Sequence, residues 1–286
     1  MASRVPAEVL AAFPGSPSPL IDARIFEGVR FRRPMDAGAV PGLVAFLRAG
    51  IRDMEPLGLR DLVVGLSGGL DSVVVARLCQ LAAVGVCRVS AVTVDLGRAG
   101  EADRVPAITA CASRLGLDHH VVSGQRARET IIDSSPRSGP WSDINTDTRL
   151  IQSFLFRAAD ASAASVVSTT DLSERLLGRH TEGFYGQMEP LGSLYKTEVK
   201  ALAMTLGVLD QLADDRPGCE DYWYDDEVLG VDYDVVDPVL HLLAAGRKSP
   251  EWIAQEFGIV DVGWVTRVAR RVQLQPHRLK TRRPLR

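Results

Sequence analysis

Cysteine is scarce in this chain of 286 residues, and the few present form no pattern. Cys79, Cys87, Cys111 and Cys219 contain no C-x-x-C pair, which argues against a zinc ribbon and for a reducing compartment. An excess of basic charge is missing too. The formal net charge of −3 argues against a general nucleic-acid binder, because phosphate contacts need a positive surface. No apolar run reaches the roughly 20 residues needed to span a bilayer. The opening "MASRVPAEVLAAFPGSPSPL" has no long apolar stretch behind a basic start, so it does not read as a secretory leader. These absences point to a cytoplasmic protein with neither nucleic acid nor membrane among its partners. The 46% hydrophobic content suits one sizeable core, and no internal repeat breaks the chain up.

Residues 1–36 are rich in Pro, Ala and Arg without a period, and read as an N-terminal extension to one domain over 37–286. The spacing predicts an amphipathic helix over 38–58, after which strands and helices alternate. Strands fall at 61–66, 88–97, 119–124 and 165–171, and helices at 70–84, 101–117 and 144–164. The polar stretch 134–143 reads as a mobile loop. Such alternation implies an α/β fold, a parallel sheet with helices on both faces. Beyond residue 175 the pattern changes to a helix over 194–208, an acidic and aromatic ordered loop over 212–234, and three helices near 234–244, 249–257 and 261–274. The domain therefore ends in a helical C-terminal part.

In a parallel sheet, ligands bind outside the carboxyl ends of the strands. At the first such end stands "LVVGLSGGLDSVVVARLC", residues 62–79. Ser67, Gly68, Gly69, Leu70, Asp71 and Ser72 form a tight turn from a buried strand into a helix. Glycines let that turn close without steric cost, and the loop amides sit at the positive end of the helix dipole. A phosphate there would accept bonds from the amides of Ser67 to Leu70 and from the Ser67 and Ser72 hydroxyls. The carboxylate of Asp71 would repel phosphate oxygens unless Mg²⁺ lay between them. The loop thus predicts a metal–polyphosphate ligand. It lacks the Lys and the spacing of the G-x-x-x-x-G-K-[ST] loop. An ordinary glycine turn with a capping Ser is the plain alternative.

The pattern S-G-G-x-D-S resembles the signature of the ATP pyrophosphatase, or PP-loop, family. A second block, "STTDLSERLLGRHTEGFYGQMEPLGSLYKTEVKALAMTLGV", narrows the resemblance to the NAD synthetases of the ammonia-dependent type. Thr169, Ser173, Glu174, Leu177, Gly178 and Thr181 fit G-T-x-x-x-S-E-x-x-L-G-x-x-T, and Pro190, Leu191, Leu194, Tyr195, Lys196 and Thr197 fit P-L-x-x-L-Y-K-T. "DDEVLGVDYDVVDPVL" adds Asp226, Glu227, Leu229, Gly230, Tyr233 and Asp237. The resemblance implies a Rossmann-like adenine nucleotide α-hydrolase fold for residues 37–286. It also implies an enzyme that adenylates a carboxylate with ATP and transfers ammonia to the acyl-adenylate. By the same resemblance Asp71 and Glu174 hold Mg²⁺, Lys196 binds phosphate in the transition state, and Thr169 and Arg149 contact the nucleotide. Partners follow likewise: a small-molecule carboxylate, free ammonia or a glutaminase that supplies it, and a second copy of the chain in a homodimer.

Other residues have an everyday reading beside a functional one. Glu174 in a first helical turn also suits the dipole, and Arg149 also suits a surface helix. Asp95 and Leu96 end the second strand, where the family places adenine and ribose. His119-His120 reads as the start of a strand, since neighbours face opposite ways, and Tyr222, Trp223 and Tyr224 suit either packing or ring stacking. The family pattern breaks in two places. After Gly178, where the family reads Y-F-T-K-Y-G-D-G-G, this chain has "RHTEGFYGQMEP", with Glu182 in place of Lys; the P-S-A-x-L-W stretch is altered to "DRPGCEDYW". Both breaks lie on the acid-binding side. Two substrates therefore stay open: nicotinic acid adenine dinucleotide, or a different carboxylic acid of specialised metabolism.

Overall fold

A computed structural model describes residues 5–98, 100–135, 139–181, 183, 185–213, 218, 219 and 223–280. In chain order the elements are α1 (Ala7–Ala12), α2 (Ala39–Met54), β1 (Asp61–Gly65), α3 (Leu70–Ala83), β2 (Val89–Asp95), α4 (Glu101–Leu115), β3 (Asp118–Ser123), α5 (Gln125–Ser134), α6 (Pro140–Ser162) and β4 (Ala164–Val167). After them come α7 (Leu172–Leu177), α8 (Lys196–Thr205), β5 (Gly218–Cys219), β6 (Trp223–Tyr224), α9 (Asp225–Leu229), α10 (Tyr233–Ala244), α11 (Pro250–Phe257) and α12 (Val262–Lys280).

The four long strands form one parallel sheet in the order β3-β2-β1-β4. Leu62, Val63 and Val64 are buried on both faces, as an apolar run in a parallel strand requires. On one face α2, α3 and α8 cover the sheet with a core that includes Leu47, Val74, Leu78 and Leu202. On the other, α6 packs Leu150, Leu155 and Ala159 against Val63, Val92 and Val166. Each such Val or Leu contributes about 1.5–3 kcal/mol on burial. Chain order reverses beside β1, with β2 on one flank and β4 on the other, so the crevice opens at the β1 and β4 carboxyl ends. Segment 187–188 extends the sheet past β4: Gln187 N donates to Val166 O and Ser168 N to Met188 O, each at 2.8 Å.

The rest of the chain forms a second core. Residues of α10, α11 and α12, including Val236, Leu240, Ile253 and Trp264, pack with Val5, Val9, Phe13 and Phe26. The N-terminal segment is therefore integrated, a feature its aperiodic composition conceals. Arg33 grips the buried Glu198 of α8 at 3.0 Å. Three further differences from the sequence reading are local. The stretch expected to be a loop over 134–143 already contains the start of α6, because Pro140 suits a first helical position. The expected loop 212–234 contains the β5–β6 hairpin and α9. Polar and charged residues dominate α5, which hid its period. Glu182, Tyr222 and most of "DRPGCEDYW" lie outside the described residues, as does the end of the basic tail. No helix among the described residues is long and apolar enough to cross a membrane.

Candidate active site

The turn after β1 owes its shape to Gly68. Its φ is +81°, and a Cβ there would sit 2.5 Å from Ala213 Cβ. The Gly68 carbonyl accepts from Ala213 N at 2.8 Å, tying the loop to the segment after α8. Ser72 Oγ donates to Gly69 O at 3.0 Å and accepts from Ser67 N at 3.2 Å. Gly69 N approaches Ser67 Oγ at 3.4 Å. The expectation that all four amides of Ser67 to Leu70 face outward therefore needs correction. Those of Ser67 and Gly69 are engaged by the loop's own hydroxyls, because short hydroxyl side chains reach local amides readily.

At the end of β4, Asp171 caps α7. Its Oδ1 accepts from Glu174 N at 2.8 Å, and its own N–H donates to Glu174 Oε2 at 3.3 Å, a reciprocal capping box. Ser173, fully buried, donates to Asp237 Oδ1 at 2.6 Å and accepts from Lys196 N at 2.9 Å. Asp237 Oδ2 accepts from Thr197 N at 2.9 Å. Ser173 and Asp237 thus lock α7, α8 and α10 together and set where Lys196 starts α8. Burial pushes the Asp237 carboxyl up to about 6, against the opposing pull of the Ser173 hydroxyl and the Thr197 amide.

The lock delivers the Lys196 ammonium, 4% exposed, into a nest of carboxylates. Nζ lies 2.7 Å from Asp71 Oδ2, 2.9 Å from Asp171 Oδ2 and 3.0 Å from Glu174 Oε1. Burial alone would lower the Lys196 pKa, but the carboxylates of Asp171, Asp71 and Glu174 hold it well above its ordinary value. Burial pushes the carboxyls of Asp71 and Asp171 upward, with Lys196 pulling the other way. Tyr233 closes the base of the nest, its ring centroid 5.7 Å from Nζ. Its hydroxyl donates to Asp225, which also pairs with Arg179.

With all three carboxylates ionised, the nest carries two negative charges beyond the one ammonium, a surplus that one divalent cation cancels. Asp71 Oδ1 is buried with no hydrogen-bond partner. The nest therefore fits Mg²⁺, a hard ion that takes oxygen ligands and accepts one or two carboxylates beside phosphate oxygens. Among the described residues no group of three His, Cys, Asp or Glu is arranged to hold a metal alone. Asp71 and Glu174 would need ligand oxygens to complete the shell.

Two cavities meet at this point. The first, of about 280 Å³, lies over the sheet end and is lined by Ser67, Gly69, Ser72, Thr93, Arg98 and Thr169 among others. The second, of about 500 Å³, is lined by Asp71, Glu174, Phe13, Trp141, Thr181 and Arg271 among others. Ile144, Thr148 and Thr169 line both. The structure thus brings Ser67, Gly69, Ser72 and Thr169 to one cavity, and Asp71, Glu174 and Thr169 to the other, with Lys196 behind the carboxylates. Leu70 is buried as the first residue of α3, and Gly68 faces Ala213.

Arg149 is not brought to this place. It is exposed on α6 and lines neither cavity. Arg98 and Arg104 line the first cavity instead, and Arg98 forms an ion pair with the buried Glu101 at 2.5 Å. Asp95 caps its own turn by accepting from Gly97 N at 2.9 Å. Leu96 is buried and donates its N–H to Glu101 at 2.9 Å. His119 is a strand residue within 2.8 Å of Thr93 Oγ1. That hydroxyl already donates to Leu66 O, so the His119 ring donates through Nε2. His120 pairs with Asp118. Trp223 is buried, 5.6 Å edge-on to Trp141, and lines the second cavity. Sequence reasoning missed Asp171, although "DLSE" carries a signal for it: Asp three residues before Glu, ahead of an apolar run, is a capping-box pattern.

The family model for NAD synthase matches residues 40–282. The chain belongs to the NAD synthase family. Among its family relatives, the NH(3)-dependent NAD(+) synthetase of Methanococcoides burtonii is 30% identical over 237 residues, covering 80% of this chain and 88% of the relative. That of Wolinella succinogenes is 32% identical over 204 residues, covering 69% and 76%. Two solved structures share the fold. The NMN synthetase of Francisella tularensis superposes with a TM-score of 0.68 at 21% identity, covering 86% of this chain and 95% of that one. The NH3-dependent NAD synthetase of Campylobacter jejuni gives 0.64 at 23% identity, covering 86% and 96%.

Proposed function

We propose that this member of the NAD synthase family is an ATP-dependent amide ligase that converts nicotinic acid adenine dinucleotide and ammonia to NAD, with release of AMP and pyrophosphate. The observation that carries the reading is the junction of the two cavities at Thr169, with the glycine loop on one side and the Asp71–Glu174–Lys196 nest on the other. A triphosphate along the loop places its α-phosphorus near an acid in the second cavity.

A carboxylate does not react with ammonia because its oxygen is a poor leaving group. One carboxylate oxygen of the acid attacks the α-phosphorus, the α–β bond breaks, and pyrophosphate leaves with the electron pair. Asp71 and Glu174 would hold Mg²⁺, which when bound would supply positive charge to that leaving group. Lys196, kept protonated by its carboxylate neighbours, adds a second fixed positive charge, and unengaged loop amides add dipoles. Ammonia then attacks the acyl carbon of the mixed anhydride. The C–O bond breaks, AMP departs, and one proton goes to solvent. No enzyme nucleophile enters this scheme, and Cys79 and Cys111 are buried thiols pushed up by burial. A homodimer, which rests on the family resemblance, and a cytoplasmic setting, which rests on the composition and the opening residues, complete the reading.

The altered segment after Gly178 favours the second reading, in which a different carboxylic acid occupies the same cavity. Pyrophosphate release with ATP, Mg²⁺, ammonium and a panel of acids tests both. Turnover with nicotinic acid adenine dinucleotide supports the first. Turnover only with another acid selects the second. Activity retained in Asp71→Asn or Glu174→Gln overturns the metal assignment.

A further inference from the structure

The N-terminal segment precedes the stretch that matches the family model, yet it forms part of the second cavity's wall. Ala12 and Phe13 line that cavity together with Asp71 and Glu174. The segment's course is fixed by contacts to distant parts of the chain. Arg271 of α12 donates to Ala12 O at 3.2 Å, and Arg267 donates to Pro14 O at 2.7 Å. Gly15 N donates to Val228 O at 3.0 Å. Ser16 lies against Gly230 so closely that a Cβ there would be 2.1 Å from Ser16 Cα.

Phe13 is the centre of this arrangement. Only 5% exposed, it has the Arg271 guanidinium 4.4 Å from its ring centroid and that of Arg179 at 5.3 Å. Its other neighbour is the Trp141 ring, centroids 5.7 Å apart. Guanidinium groups at these distances are attracted to a ring face. Phe13 therefore lies against two guanidinium groups and an aromatic side chain in the wall of the cavity that Asp71 and Glu174 also line, with Arg179 paired to Asp225 and Arg271 bonded to backbone carbonyls. Such a wall suits an anionic, ring-bearing acid.

We propose that Phe13 is a specificity-determining residue for the carboxylic acid, supplied in cis by a segment outside the matched family region. This inference rests on the amide-ligase reading above. It adds that the acid, and not ATP, is what the N-terminal segment recognises. Phe13 does not line the nucleotide cavity.

Steady-state pyrophosphate release by the full chain decides it, with nicotinic acid adenine dinucleotide, nicotinic acid mononucleotide and nicotinic acid as the probes. Phe13→Ala should raise the KM for the acid about tenfold or more while the KM for ATP stays within about twofold. Phe13→Leu keeps an apolar side chain in the core but removes the ring; it should fold with a near-native melting curve and show the same split. Phe13→Tyr should restore the acid KM. A Phe13→Leu enzyme with unchanged acid KM, or with both KM values raised equally, overturns this inference and leaves the ligase reading standing. A wild-type protein that releases no pyrophosphate with these three acids or with any other acid of the panel overturns the ligase reading, and this inference falls with it.

Discussion

The two cavities are built in opposite ways. The proposed nucleotide side is centred on one compact turn, the loop Ser67 to Ser72 between β1 and α3, with Thr169 reaching it from the end of the neighbouring strand β4. The acid side is assembled from Phe13, Trp141, Thr181, Trp223 and Arg271, residues that meet only when the first helix, α6, the β6 region and α12 pack together. A local site tolerates change elsewhere in the chain, whereas a dispersed one can be retuned by substitutions in several segments. Of the departures from the family pattern near 179–190 and 214–224, the described Arg179, His180, Thr181 and Trp223 line the dispersed cavity, whereas Tyr185 lines the other.

Lys196 sits behind the Asp71 and Glu174 carboxylates that it grips, so Lys196→Met should have the largest effect. Pyrophosphate release should fall by about 10²–10³-fold with every acid. Removing one partner of a buried ion cluster costs about 3–5 kcal/mol, read as a lower midpoint in urea. Asp71 and Asp171 already hold raised folded-state pKa values, and losing the ammonium raises them further. A carboxyl with a raised folded pKa loses stability as pH climbs past its unfolded value, so the variant should regain part of its midpoint on acidification to about pH 4. A loss confined to one substrate would show that the two sides do not share this residue.

Asp171→Asn is expected next. Asn caps a helix as well as Asp does, so the melting temperature should hold nearly steady. One of three carboxylates gripping Lys196 is lost, and misplacement of the ammonium should lower kcat by up to about 10²-fold. An equal fall in stability and kcat would reduce Asp171 to a structural cap.

Gly68→Ala addresses the nucleotide side alone. A positive φ and the overlap with Ala213 should cost about 1–3 kcal/mol and raise the KM for ATP, with the acid KM unmoved. Phe13 variants are the mirror-image test on the other side. The smallest effect is expected from pH. With Asp237 at about 6 in the folded chain against 3.8 unfolded, wild-type stability should decline between about pH 4 and 6 and level off above. In Asp237→Asn that portion of the slope should vanish, beneath a constant offset from the lost acceptor, as followed by thermal melts across pH.

Most of the nucleotide side could be read in the sequence, for a physical reason. A glycine turn between an apolar strand and a helix has few possible geometries, and the strand ends of a parallel sheet converge wherever order reverses. Asp71, Glu174 and Lys196 stood out through the resemblance of their compact motifs to the NAD synthetases, but their gathering into one ion cluster did not. Arg149 illustrates the limit: its position on a helix was evident, but which way that helix turns depends on the packing of Leu150 and Leu155 against the sheet. Arg98 and Arg104 face the cavity instead, through a buried Glu101 whose partners lie within three residues yet form no familiar motif. The N-terminal segment was opaque for a different reason. Its apolar residues follow no helical or strand period, and its burial comes from α10 to α12, more than 200 residues away.

The hydroxyl of Ser173, shared between Lys196 and Asp237, has a consequence for biosynthesis. The ribosome delivers the sheet, the glycine loop and the lysine well before α10. Until that helix emerges and docks, the Ser173 hydroxyl and the Thr197 amide lack their Asp237 acceptor, and the start of α8 is less firmly fixed than in the folded protein. A nascent chain that stops before residue 233 would possess the phosphate loop yet lack the Asp237 acceptor that locks α7 to α8, so a helix made after the loop completes the site.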